Sequence, residues 1–171
     1  MSQGYAKQGA TARRTESALL RAAKDLIALH GVSNVNMIEI ADLSQVSRAT
    51  LYNHYRDKEA VLYALVASEV VRVFENSTGT PADILEFLSI QISQDRALAA
   101  MRQHDGALLV SLTQRTSDRI WSAIDSFLLT TMNNQTGADL ALVWLMGQFL
   151  HPLSAKDSRE QAAFLVERTL F

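Results

Sequence analysis

Apolar positions along the chain recur at intervals of three and four, and no stretch alternates as a strand would, so the pattern predicts an all-α protein. The first apolar stripe runs from about Thr15 to His30 and turns Leu19, Ala22, Ala23, Leu26 and Ile27 inward; Gly31 then supplies a left-handed stop. Asn36 with Glu39 three residues on predicts the start of a short helix carrying Ile40, Ala41 and Leu43. Ser47 caps a helix reaching about Tyr55, and Asp57 caps one whose apolar face is Val61, Leu62, Leu65, Val66 and Val73. The segment NSTGT, 76–80, is the clearest linker. Thr80 as N-cap, Pro81 in the first turn and Asp83 at the third position open a new helix. Beyond it the pattern predicts helices over about 81–94, 96–103, 106–132 (with Thr116-Ser117-Asp118 as a candidate break), 138–150 and 157–169, the last opened by Asp157 and Glu160. Residues 1–14 lack an apolar stripe and read as a flexible, slightly basic arm.

Composition changes this picture little. With 171 residues, 48% hydrophobic and 20% charged, the chain suits one ordinary or two small helical domains. It has no cysteine, which excludes disulfides, thiolate metal sites and a Cys nucleophile. The first fourteen residues lack the apolar core of a secretory signal. The longest apolar-rich run, 138–150, contains Asp139 and Gln148 and is too short to span a bilayer. A cytoplasmic location without membrane association is therefore expected. The net charge is −2, but it is unevenly spread: residues 1–60 hold eight basic and six acidic side chains, the remainder eight and twelve. A mildly basic third on an acidic body fits a single electrostatic footprint for nucleic acid.

The stretch SQVSRATLYNHYRDKEAVL, 44–62, concentrates side chains that hydrogen-bond to phosphates and base edges, and its two short helices have the spacing of a helix-turn-helix. Ala41 is the small residue where the helices meet, Gln45 lies in the turn, and Val46 and Leu51 pin the second helix. Ser47, Arg48, Ala49 and Thr50 begin that helix. Arg48 suits guanine O6 and N7, and the Ala49 methyl suits a thymine methyl. Thr50, Tyr52 and His54 suit phosphate oxygens, which position without specifying sequence, and Asn53 is a further candidate DNA contact. Lys58 in the first turn of the next helix opposes that helix's dipole, an arrangement that suits a bound phosphate. Asn36 is read as a cap that can also reach a phosphate, and Tyr55 as core.

IADLSQVSRATLYNHYRDKEAVL, 40–62, resembles the DNA-binding domain of the tetracycline-repressor (TetR) family of transcriptional regulators. The likeness rests on Ile40-Ala41, Gln45-Val46-Ser47, Thr50-Leu51-Tyr52, His54-Tyr55 and Lys58, and extends from about Leu19 to Leu65. Gln45 stands where the family's turn carries Gly, and Met37 and Ile38 stand where relatives place more polar residues. The resemblance implies an N-terminal helix-turn-helix domain of three helices over 1–76. A connecting helix joins it to a C-terminal helical effector-binding and dimerisation domain over 77–171. It further implies a homodimeric, ligand-responsive regulator, a repressor that releases a pseudo-palindromic double-stranded DNA operator.

No motif in the C-terminal half carries chemistry on its own. The expected effector is a mainly apolar small molecule held by Leu88, Gln91, Ile92, Met101, Arg102, His104, Leu108, Leu112, Arg115, Trp121 and Ile124; the alternative is that these residues only pack together. The last two helices offer Leu140, Val143, Trp144, Phe149, Phe164, Leu165 and Leu170 as a dimer interface. His104 and His151 lack a second ligand at useful spacing, and Ser111, Ser117 and Ser122 lie in no nucleophile motif, so neither metal, cofactor nor catalysis is expected. The rival reading is a nucleoid-associated or structural DNA-binding protein on the same fold, partnered by another protein and without an effector.

Overall fold

A computed structural model describes residues 2–169, with side chains from Ala10 onward. Ten α-helices follow one another: α1 (Ser2–His30), α2 (Met37–Ser44), α3 (Arg48–His54), α4 (Lys58–Glu75), α5 (Pro81–Ser93), α6 (Arg96–His104), α7 (Gly106–Leu112), α8 (Arg119–Met132), α9 (Gln135–Gly147) and α10 (Ala155–Thr169). None of the described helices is long and apolar enough to cross a membrane.

Several boundaries differ from the sequence pattern, each for a local reason. α1 starts at Ser2 rather than Thr15, so residues 2–14 are helix where a flexible arm was expected. Extending a helix that is already packed needs no new nucleus, and Ala, Gln, Lys and Arg propagate one readily. Periodicity missed this segment because it signals burial, not helicity. The long stretch over 106–132 breaks at 113–118, a gap that includes the candidate break Thr116-Ser117-Asp118 and starts three residues earlier. Asp118 then caps α8 by accepting from the Ile120 and Trp121 amides at 2.8 and 3.0 Å. α9 begins at Gln135, ahead of the expected 138, because Asn134 accepts from the Gly137 amide at 2.6 Å. α10 is opened by Ser154, whose Oγ accepts from the Asp157 amide at 3.1 Å, rather than by Asp157 with Glu160.

Two hydrophobic cores form, and they do not divide at the 76/77 linker. The first packs α1–α4 around Leu19, Ile40, Leu51 and Val61, and it takes in Ala97 and Met101 of α6, Leu109 of α7, and the partly buried Leu112 and Phe149. The second joins α5, α8, α9 and α10 through Leu85, Leu88, Trp121, Leu128, Met132 and Leu142. The end of α4 contributes Val73 and Phe74 to it, and Phe74 stacks on Phe127 at 3.9 Å between ring centroids. α4 therefore runs from one core into the other. A buried polar cluster fixes α10 against α5. Ser89 Oγ lies 2.7 Å from both Gln148 Oε1 and Ser158 Oγ, and Ser93 Oγ donates to the same Gln148 oxygen at 3.0 Å.

The N-terminal helices are also braced by charge. Lys24 on α1 reaches Glu69 of α4 and Asp95, the N-cap of α6, both at 2.7 Å. Burial alone would depress the Lys24 ammonium, but the bonds to Asp95 and Glu69 outweigh it and raise its pKa.

The turn between α2 and α3 carries one strained residue. Gln45 caps α2 at φ 57°, ψ 29°, in the left-handed region that a side chain disfavours by ~1–2 kcal/mol. Gln45→Gly is expected to raise stability by ~0.5–1 kcal/mol after the added freedom of the unfolded chain is counted. That corresponds to a melting temperature higher by a few degrees, ~2–4 °C per kcal/mol, in a calorimetric scan.

Candidate nucleic-acid interface

The recognition helix is positioned from both ends and from beneath. Asn36 Oδ1 accepts from the Ile38 and Glu39 amides, each at 3.0 Å, and so starts α2. The Gln45 amide donates to the Asp42 carbonyl at 3.3 Å and the Val46 amide to the Ala41 carbonyl at 3.1 Å, which closes the turn. Ile40, Ala41 and Leu51 are buried in the first core, which seats α3 against α2 with Leu51 turned inward. Tyr55 is buried too, as expected of a core residue, and its hydroxyl donates to Glu16 Oε1 of α1 at 3.2 Å. Burial and the neighbouring Glu16 charge push the Tyr55 phenol well above its ordinary range.

With Leu51 inward, the opposite face of α3 is left to solvent. Arg48, Ala49, Tyr52, Asn53 and His54 are exposed, Tyr52 at 53%, while Thr50 is half-buried. Ser47 Oγ accepts from the Thr50 amide at 3.1 Å and lies 2.8 Å from Thr50 Oγ1, so both hydroxyls already serve the start of the helix. Arg48 is held near Asp42 of α2 by a 3.8 Å ion pair between exposed groups, a weak contact that leaves the guanidinium able to turn toward a base. Asn36 uses its oxygen as the cap, which leaves its amide donors for another partner. Ile38 is exposed on α2 and has no polar group for a base edge.

Lys58 sits differently from the pattern's expectation of an open phosphate site. Its ammonium donates to the Val32 carbonyl at 3.2 Å, in the loop between α1 and α2. That loop is gripped from the other side by Asp105, at the junction of α6 and α7. The Asp105 carboxylate accepts from the Val32 amide at 2.6 Å, the Ser33 amide at 3.0 Å and the Ser33 hydroxyl. Asp105 is 6% exposed. Burial alone would raise its carboxyl; the bonds from Ser33 and Val32, with His104 beside it, hold it below the ordinary range. Sequence reasoning missed Asp105. Its only trace was Gly31, whose φ of +77° lets the backbone pass close to the carboxylate.

The effector candidates are not brought to one place. Met101 is buried in the first core, with Leu112 packed against it. Leu88 and Trp121 belong to the second, joined by Ile92 and Ile124. Arg102 donates to the Phe149 carbonyl at 3.2 Å, Gln91 accepts from Arg72 at 3.3 Å, and Arg115 pairs with Asp125 at 2.7 Å. His104 and Leu108 are exposed. Among the interface candidates, Leu140, Val143 and Phe164 are exposed. Trp144 is half-buried and donates from its indole to Gln161 at 2.8 Å. Phe149 and Leu165 pack within the subunit, and Leu170 lies outside the described residues. No group of three or more acidic or His side chains among the described residues is placed to hold a metal ion.

A capped α3 with its apolar side buried, behind a tight turn and on an all-α body, has the arrangement of a helix-turn-helix. Residues 19–65 match the model of the bacterial regulatory proteins, tetR family. No curated protein sequence matches the chain significantly. Among solved structures, its fold is similar to Salmonella enterica GusR (TM-score 0.62, 21% identity, 91% of this chain and 93% of that one). It is also similar to a TetR transcriptional regulator from Rhodococcus sp. RHA1 (0.61, 16%, 91% and 96%) and to RolR without ligand (0.55, 20%, 90% and 89%). The family match is confined to residues within α1–α4, which build the helix-turn-helix, and the solved structures share the fold over most of the chain.

Proposed function

We propose that the protein is a homodimeric repressor whose two α3 helices read a pseudo-palindromic operator and that an apolar effector releases it. The observation that carries the DNA reading is the division of α3. Leu51 is fully buried, while Arg48, Ala49, Tyr52, Asn53 and His54 form one uncovered polar face. In this reading Arg48 specifies a base, and Tyr52, Asn53, His54 and Lys58 position the helix on phosphates, helped by the Asn36 amide, Ser47 and Thr50. Dimerisation through α9 and α10 is supported by Leu140, Val143 and Phe164, which one subunit leaves uncovered. Two-fold symmetry then sets half-site centres about one helical turn apart, ~34–36 Å.

Effector action is a shift between conformers that fit and do not fit two successive grooves. α4 suits that role because it starts at Lys58 and ends in the second core. Binding between the two cores would turn it. The protein-partner rival is favoured by one observation: Leu88, Met101 and Trp121 are consumed in packing.

Two substitutions test the division of labour in operator binding. Lys58→Ala is expected to weaken binding to all sequences alike and to lower the salt slope by about 1. Arg48→Ala is expected to relax the preference at one base pair per half-site, costing ~1–3 kcal/mol there. Identical sequence profiles and salt slopes for both variants would contradict the assignment. A thermal-shift screen of hydrophobic compounds, followed by operator binding with each hit, separates the effector reading from its rival. An empty screen together with binding at many dispersed genomic sites would favour the rival.

A further inference from the structure

The contacts of Lys58 and Asp105 meet on a single peptide group. Lys58 Nζ donates to the Val32 carbonyl at 3.2 Å, and the amide of the same peptide, Ser33 N–H, donates to Asp105 Oδ1 at 3.0 Å. The order is ammonium, carbonyl, amide, carboxylate: two opposite charges linked through one polarisable group. An amide that donates to a carboxylate makes its own carbonyl a stronger acceptor, so each bond strengthens the other. Asp105 gives up an ordinary role to do this. The other aspartates in N-cap positions, Asp57, Asp95 and Asp118, each accept from an amide of the helix they open. Asp105 precedes α7 and makes no such bond; its carboxylate is turned onto the α1–α2 loop instead. The backbone of Gly31 leaves room for it there, since a Cβ at that position would collide with Asp105 Oδ2.

We propose that Asp105 is a positioning residue for DNA binding, acting through the Val32–Ser33 peptide to hold the Lys58 ammonium where a backbone phosphate meets it. An ammonium has three donors, and the Val32 carbonyl uses one. The tether therefore restricts a flexible side chain without spending its capacity for phosphate. Asp105 belongs to the α6–α7 junction, so a displacement of that junction loosens Lys58 without any change in α3. The inference rests on the reading of Lys58 as a phosphate contact.

A double-mutant cycle in operator binding tests it, with Asp105→Asn, Lys58→Ala and the double variant compared at a temperature where circular dichroism shows all of them folded. Asp105→Asn is expected to weaken binding about fivefold when Lys58 is present and to have almost no effect in the Lys58→Ala background. An equal loss in both backgrounds overturns the proposal while leaving Lys58 as a phosphate contact. No change in affinity or salt slope for Lys58→Ala overturns that contact and the proposal with it. A second readout needs no variant at position 105: the Ser33 amide resonance in the ¹⁵N-labelled protein. It is expected to move when saturating operator is added to the wild type and to stay in place in Lys58→Ala. A resonance that is unmoved in the wild type, or that moves equally in both, overturns the proposal.

Discussion

A Val143→Asp protein is expected to sediment as a monomer and to bind a full operator at least ~100-fold more weakly, with its helical content unchanged. Val143 lies on α9 and is 71% exposed in the subunit, so an aspartate there costs the isolated fold little. Leu140, three residues earlier on the same helix, and Phe164 on α10 (61% exposed) are further exposed apolar side chains that water does not favour. In a two-fold interface the new carboxylate enters twice and loses its hydration without gaining a partner, a penalty of several kcal/mol. A monomer then meets one half-site at a time. It loses the effective concentration that makes the second contact intramolecular, an effect of ~10²–10⁴ in avidity. A dimer at micromolar concentration in analytical ultracentrifugation, with operator affinity unchanged, would place the interface elsewhere.

Gly31→Ala is expected to be among the most damaging single-methyl changes in the chain, lowering stability by ~3–5 kcal/mol. A side chain at φ +77° costs ~1–2 kcal/mol in itself. The added Cβ would also meet His104 Cβ at 2.9 Å and collide with Asp105 Oδ2. If Asp105 moves aside, the Val32 and Ser33 amides lose their acceptor, which adds ~1–3 kcal/mol. At ~2–4 °C per kcal/mol for a chain of this size, the melting temperature falls by roughly 10 °C. Gly106→Ala is the control: a Cβ there meets nothing within 4 Å, so the change is neutral or slightly stabilising. A scan in which both variants melt with the wild type would show that the Gly31–Asp105 contact carries no weight in the fold.

Much of the DNA-binding half was legible because its signals are local. Asn36, Ser47 and Asp57 cap the helices that follow them, and a cap needs only the next three residues. Ile40, Ala41, Leu51 and Val61 recur at helical spacing and share one core. The polar face of α3 follows from Leu51 pointing in. The N-terminal extension of α1 was not legible because periodicity reports burial, and nothing there is repeated for burial.

The sequence by itself determined most of the helical segments, the caps that open α2 to α5, and which face of α3 stays polar. Each of these depends on contacts within one or two turns. Only the tertiary structure decided that α6 and α7 join the first core rather than the C-terminal one. It also split the effector candidates between two cores, tied Gln148 to Ser89 and Ser93, and turned Asp105 onto the Val32–Ser33 peptide. Those outcomes bring together residues some 55 to 73 positions apart, such as Ser93 with Gln148 and Val32 with Asp105. An amphipathic stripe specifies that a helix must be covered. Which neighbour covers it, and which distant carboxylate reaches a given amide, is set by how all the helices pack at once.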